Sequence, residues 1–282
     1  MYIKGDFHTH TSASDGKYSS KELIYLAKKE GLDIISITDH DTTDGIEEAL
    51  FYGKKLNIKV IPGIELSTTY NNCSIHVLGY FKGNNYKNNL IQSFQKHKKE
   101  YRKRRANEIV DKLKKHFNII ISFDEIMDST KGVISRPHIA KAIVEAGYDY
   151  SWDYIFSNFI GEGCKAYVPY VPNKTISTEE GISLLKESGA ISVLAHPVLI
   201  KKTNVEDLFK LDFQGVEAIY YMNKPEDTTR FKNLAKKYNK IITGGSDFHG
   251  LTKTDGSHPD RIGATTLDQG NIEKLLKSIN SI

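Results

Sequence analysis

The chain has little of what braces a secreted or membrane-spanning protein. Two cysteines, Cys73 and Cys164, in 282 residues give no disulfide framework, so a reducing, intracellular setting is expected. The N-terminus MYIKGDFHTH has no apolar signal region, and no run approaches the roughly 18 consecutive apolar residues of a membrane span. A cytoplasmic protein with no membrane partner is expected. A GxSxG nucleophile elbow and a Gly-rich GxxxxGK(S/T) phosphate loop are both missing, so hydrolysis by those routes has no support. An excess of one charge is missing too: 39 Lys and Arg stand against 35 Asp and Glu, a net +4. What remains is ordinary for a folded domain, with 39% apolar and 26% charged residues. The length suits one large domain or two small ones, and single α/β barrels are commonly of this size.

Short apolar runs rich in β-branched residues read as buried strands: Asp33–Thr38, Ile58–Ile64, Ser74–Tyr80, Ala190–Ala195, Val216–Tyr220 and Ile241–Gly244. Tyr2-Ile3 opens a further one. Helical patterns lie between many of them. Ser20–Glu30 puts Leu23, Ile24 and Ala27 on one face, Ser177-Thr-Glu-Glu180 is a capping box, and Thr228–Tyr238 is another helix. Strand and helix alternating in this way predict a parallel α/β arrangement. The middle differs. Leu90–Phe117 reads as one long charged helix, Ser122 to Glu125 as a second capping box, and Pro137–Ala146 and Trp152–Phe159 as two more helices. The expected division is a barrel of residues 1–81 and 175–282, with a helical insertion of residues 82–174 over its mouth. Within that insertion KHKKEYRKRR (residues 96–105) holds seven Lys or Arg. It is either a solvated helix face or a track for phosphates.

The polar residues cluster where the strands end. Asp6, His8 and His10 follow the first strand, Asp39 and His40 follow DIISIT, and Glu65 follows IKVIPGI. His196 follows AISVLA, and Asp247 and His249 follow IITGG. In a parallel α/β fold these ends share one face, where active sites lie. His76 lies inside SIHVLG and can point to the same place. Imidazoles and carboxylates together suit Zn²⁺, Mn²⁺ or Fe²⁺, and the absence of thiolates argues against a structural zinc finger. The donors exceed the needs of one ion; neighbouring cations sharing a carboxylate would use them better. Cations a few ångströms apart can hold a hydroxide for in-line attack and neutralise a phosphate.

The motifs DFHTHTSASDG (Asp6–Gly16), ITDHDT (Ile37–Thr42), PGIELS with IHVLGY, and GSDFHG resemble those of the PHP family, named for polymerase and histidinol phosphatase. The resemblance implies a distorted seven-stranded β/α barrel that binds three metal ions and hydrolyses phosphoesters. It implies one metal on His8, His10, Glu65 and Asp247, a second on Glu65, His76 and His138, and a third on Asp15, His40 and His249. Asp15 slightly favours a harder ion such as Mn²⁺. RPHIA in the insertion and LAHP before the last motif are similar to a stand-alone bacterial group acting on nucleoside 3′,5′-bisphosphates and on the 5′ ends of short RNA. On that footing Arg136 grips a phosphate, and His196 contacts phosphate or protonates the leaving oxygen. Asp39 and Asp41 would orient metal-bound imidazoles. Competing expectations are a histidinol-phosphate phosphatase, a non-catalytic metal-binding module, and a plain nucleic-acid-binding protein.

Overall fold

In the computed structural model, which describes residues 2–130, 132–169, 176–250 and 258–282, the apolar runs form one seven-stranded sheet in sequence order. Its strands are β1 (Gly5–Asp6), β2 (Ile34–Ile37), β3 (Lys59–Tyr70), β4 (Cys73–Phe81), β5 (Ala190–Leu194), β6 (Gly215–Tyr220) and β7 (Ile241–Gly245). The sheet curls until its edges meet: Phe7 N–H donates to Gly244 O, Asp247 N–H donates to His8 O, and Thr9 bridges Phe248. The glycines of IITGG make this closure possible. A Cβ on Gly245 would lie 2.4 Å from His8 Cβ, too close for any other residue.

The helices are α1 (Ser20–Lys29), α2 (Ile46–Leu56), α3 (Asn89–Phe117), α4 (Phe123–Ser129), α5 (Arg136–Glu145), α6 (Trp152–Ile155), α7 (Thr178–Glu187), α8 (Val205–Phe209), α9 (Pro225–Lys237) and α10 (Gln269–Asn280). Ser19 and Ser177 close capping boxes with Glu22 and Glu180 at the starts of α1 and α7. No helix among the described residues is long and apolar enough to cross a membrane.

The fold departs from an all-parallel arrangement at one strand. β4 is antiparallel to both β3 and β5, while the other neighbours pair in parallel. The cause is local. Asn71 and Asn72 both take positive φ (48° and 62°), and Tyr70 pairs with Cys73. Two left-handed residues in a two-residue loop make a hairpin whose twist matches the strands. The reversal explains His76. It sits near the start of β4, opposite Ser67 of β3, and so reaches the barrel end where its neighbours finish.

The middle of the chain is helical, and its apolar side chains pack on one another. Ile109, Leu113, Ile126, Ile139, Ile143, Ile155 and Ile160 form a cluster of their own. The segment touches the barrel at a metal-motif loop: Val133 N–H donates to Ala13 O, and a Cβ on Gly132 would lie 1.9 Å from that oxygen. The segment boundary expected at residues 174–175 lies outside the described residues.

Candidate metal centre

Side chains alternate along a strand, so the Asp-x-His-x-His spacing after β1 sends His8 and His10 the same way. Both meet Glu65 from β3 and Asp247 from beyond β7. His8 Nε2 lies 3.4 Å from Glu65 Oε2 and 3.3 Å from Asp247 Oδ1; His10 Nε2 lies 3.3 Å and 3.1 Å from the same atoms. The other Glu65 oxygen, Oε1, lies 3.0 Å from His76 Nδ1 and 3.0 Å from His196 Nε2, and those two nitrogens are 3.3 Å apart. Asp15 meets His249 Nε2 at 3.3 Å and His40 Nε2 at 3.9 Å, while His40 Nδ1 lies 2.9 Å from Glu65 Oε2. Glu65, fully buried, is thus the hinge of the cluster.

Several of these atoms are buried and make no hydrogen bond with the described residues: His8 Nε2, both nitrogens of His10, Asp15 Oδ1, His40 Nδ1, Glu65 Oε2 and His196 Nδ1. Buried polar groups normally find a partner. A convergent set that does not, made of imidazole nitrogen and carboxylate oxygen, fits divalent cations. The electrostatics agree. Burial alone would favour the neutral imidazole at His8 and His10. The Glu217, Asp247 and Glu65 carboxylates outweigh it at His8 and hold its pKa well above the ordinary value. Asp247 and Glu65 raise His10 to about 10. Burial opposes ionisation at Asp15, Glu65 and Asp247 as well, yet the facing imidazoles keep all of them well below the usual carboxylate range. Such a field holds protons strongly, and a cation entering it displaces them.

His196 joins the cluster and His138 does not. The residue meeting Glu65 and His76 is His196, whose backbone takes φ 26°, an uncommon left-handed conformation that marks functional sites. His138 stands outside these groups. Its Nδ1 accepts from Ser135 N–H at 3.1 Å and closes the cap of α5. Burial lowers its pKa. Arg136 lies over the rings of Phe156 and Tyr167, at 5.7 Å and 5.8 Å. His258, which reads as peripheral in the sequence, comes within 4.3 Å of the His249 ring.

The expected orienting roles of Asp39 and Asp41 also move. Asp39 accepts from Thr11 N–H (2.7 Å), Thr11 Oγ1 (2.6 Å) and Ser14 Oγ (2.5 Å), and so shapes the loop that carries Asp15. Asp41 accepts from Ser67 N–H at 2.8 Å and from Arg102. The carboxylate on an imidazole is Glu217 of β6. His8 Nδ1 lies 3.0 Å from its Oε1, and its Oε2 accepts from His196 N–H at 2.8 Å. Tyr220 Oη donates to Asp247 Oδ2 at 3.0 Å, and its ring lies 5.5 Å from that of His196. The sequence signal for Glu217 is an acid inside the apolar run GVEAIY, since a buried carboxylate needs a partner. Asp6, fully buried with its pKa raised to about 6 by that burial, accepts from Ser246 N–H and Gly263 N–H, both at 2.9 Å, and ties β1 to the final motif.

A barrel rim of this composition suits a protein that holds divalent cations on His, Asp and Glu. The PHP-domain family profile matches residues 6–162, and the chain belongs to that family. It is a metal-dependent phosphoric ester hydrolase. It is 31% identical to a 5′-3′ exoribonuclease of Haemophilus influenzae, over 88% of this chain and 91% of that protein. It is 27% identical to a 3′,5′-nucleoside bisphosphate phosphatase of Chromobacterium violaceum, over 86% of each. Among solved structures, a Bifidobacterium adolescentis protein described as a metal-dependent phosphoesterase superposes with a TM-score of 0.85 at 28% identity, covering 97% of this chain and 95% of that one.

Proposed function

We propose that the chain hydrolyses phosphate esters of nucleotides, releasing the 3′-phosphate of nucleoside 3′,5′-bisphosphates, removing nucleotides from the 5′ end of short single-stranded RNA, or both. The observation that carries this reading is the buried convergence of imidazoles and carboxylates about Glu65, in which His8 Nε2, both nitrogens of His10, Asp15 Oδ1, His40 Nδ1 and Glu65 Oε2 make no hydrogen bond with the described residues. The named relatives act on RNA and on nucleotides, which supports a nucleotide over histidinol phosphate and an enzyme over a non-catalytic module.

In this reading the site takes three divalent cations, Mn²⁺ the best suited. The first is held by His8, His10, Glu65 and Asp247, the second by Glu65, His76 and His196, and the third by Asp15, His40 and His249. Bound there, they would neutralise the phosphate and lower the pKa of water from 15.7 to about 7. The protein's own part is to fix the donors. Glu217 takes the Nδ1–H of His8, which leaves Nε2 as the lone-pair nitrogen. Tyr220 occupies Asp247 Oδ2 and leaves Oδ1 for the site. With its Nε2 facing Glu65 and His76, His196 serves as a ligand rather than as the acid for the leaving oxygen. Arg136, steadied by two aromatic faces, is the phosphate contact.

The test is phosphate release, with Mn²⁺ and with a chelator, from adenosine 3′,5′-bisphosphate, histidinol phosphate, AMP and a 5′-phosphorylated RNA trimer. Metal-dependent turnover of the bisphosphate or the trimer is expected. Turnover of histidinol phosphate alone would overturn the reading.

A further inference from the structure

Beside the metal centre a cavity of about 480 Å³ opens between the Asp15 loop and the helices of the middle segment, within the size range of small-molecule sites. Asp15, a member of the third ligand group, forms part of one wall. His138, Lys141 and Trp152 come from α5 and α6, and Lys17 lies beside Asp15 in the motif loop. The walls therefore differ in chemistry. One carries a candidate metal ligand, two lysines contribute to the lining, and Trp152 brings an indole. Trp152 is backed from behind: it stacks nearly parallel on Phe156, 14° between planes at 6.1 Å, and Phe156 in turn carries Arg136. A half-buried indole that packs on Phe156 and lines the cavity is oriented before any ligand arrives.

We propose that this cavity seats the nucleoside end of the substrate, with Trp152 as the stacking surface for the base and Lys17 and Lys141 as contacts for the phosphate that is not cleaved. The inference rests on the nucleotide reading above and adds to it the specificity-determining residues. An indole face accepts any base, so the site selects for a base without reading its identity. The two lysines favour a substrate with a second phosphate over a monoester. Lys141 reaches Glu145 at 3.5 Å along an exposed turn of α5, a weak tie that a phosphate outcompetes.

Trp152 is the single tryptophan of the chain, so its emission reports on the cavity. Titrating the metal-loaded protein with AMP is expected to quench that emission saturably, and inorganic phosphate alone is not. In W152A the ratio of kcat/KM for adenosine 3′,5′-bisphosphate over ribose 3,5-bisphosphate, which has no base, is expected to fall about tenfold. W152F keeps a ring and is expected to recover most of the ratio; because Trp152 also packs against the middle segment's core, this variant separates stacking from folding. K17A and K141A are expected to raise KM for the bisphosphate more than for adenosine 3′-monophosphate. Turnover of the bisphosphate with no AMP quench and an unchanged W152A ratio would overturn the proposal, as would equal quenching by phosphate alone. A protein that is quenched by AMP but hydrolyses no phosphoester would sink the phosphoesterase reading and leave the cavity standing.

Discussion

The barrel rim and the long helix α3 both bury charged side chains, and they do so in opposite ways. At the rim, Glu65, Asp15, His8 and His10 are buried and face one another with atoms that make no hydrogen bond. On α3, Lys98, Arg102 and Arg105 are equally buried but engaged. Lys98 Nζ donates to Ser67 O at 2.7 Å, Arg105 Nε to Val168 O at 2.8 Å, and Arg102 reaches Asp41 through Nε (2.9 Å) and Nη2 (2.6 Å). An unsatisfied buried cluster is costly unless a ligand completes it, whereas a satisfied one is scaffold. The run KHKKEYRKRR is accordingly neither wholly a solvated face nor a bare phosphate track. Lys98 and Arg102 clamp the helix onto Ser67, in the strand that carries Glu65, and Arg105 ties it to Val168.

The sharpest way to break this contrast is to remove one member from each side. D247A or H40A is expected to lower kcat by at least about 10³-fold, while circular dichroism still shows a folded protein. Near-native turnover of either variant in metal-replete buffer would end the multinuclear reading. R102M is expected to act on folding first, by about 3 kcal/mol, because it leaves the buried Asp41 carboxylate with only the Lys98 charge and the Ser67 N–H. Denaturant unfolding checks this. A loss below about 1 kcal/mol would place α3 on the barrel by apolar packing alone.

A smaller effect tests the groups behind the ligands. E217Q is expected to weaken metal binding about 10–100-fold, read by competition with a chelator, with H138A leaving the number of bound metals unchanged and H196A reducing it. This distinction marks where the sequence was readable. His8, His10, Asp247 and His249 stand out because a period of two at a strand end leaves few alternatives. Glu217 is one acid in an apolar strand of six residues, which signals a buried partner without saying which one. The choice between His138 and His196 depends on how a distant helix, α5, and the turn after β5 come to lie against the rim, and no local spacing encodes that. The β4 reversal was encoded, in Asn71-Asn72, but a short apolar run looks alike in either direction. Capping boxes mark α1 and α7 and sheer length marks α3, whereas α2 starts without a side-chain cap.

The smallest expected effect is a pH dependence on the scaffold side. Burial would raise the Asp41 pKa, but the Lys98 and Arg102 charges, with hydrogen bonds from Ser67 and Arg102, bring it down to about 2. A carboxylate whose folded pKa is depressed stabilises the fold above its unfolded value, near 3.8, and that contribution disappears as pH falls through the folded value. The window is therefore about pH 4 to 2, and the size on the order of 2 kcal/mol. Rim carboxylates also titrate in acid, so the wild-type curve alone does not isolate Asp41; its difference from D41N does. That difference in unfolding free energy is expected to be flat above pH 4 and to shrink below it. A difference that stayed constant down to pH 2 would mean that Lys98 and Arg102 do not hold Asp41 ionised, and the contrast between an engaged scaffold and an unsatisfied rim would lose its electrostatic half.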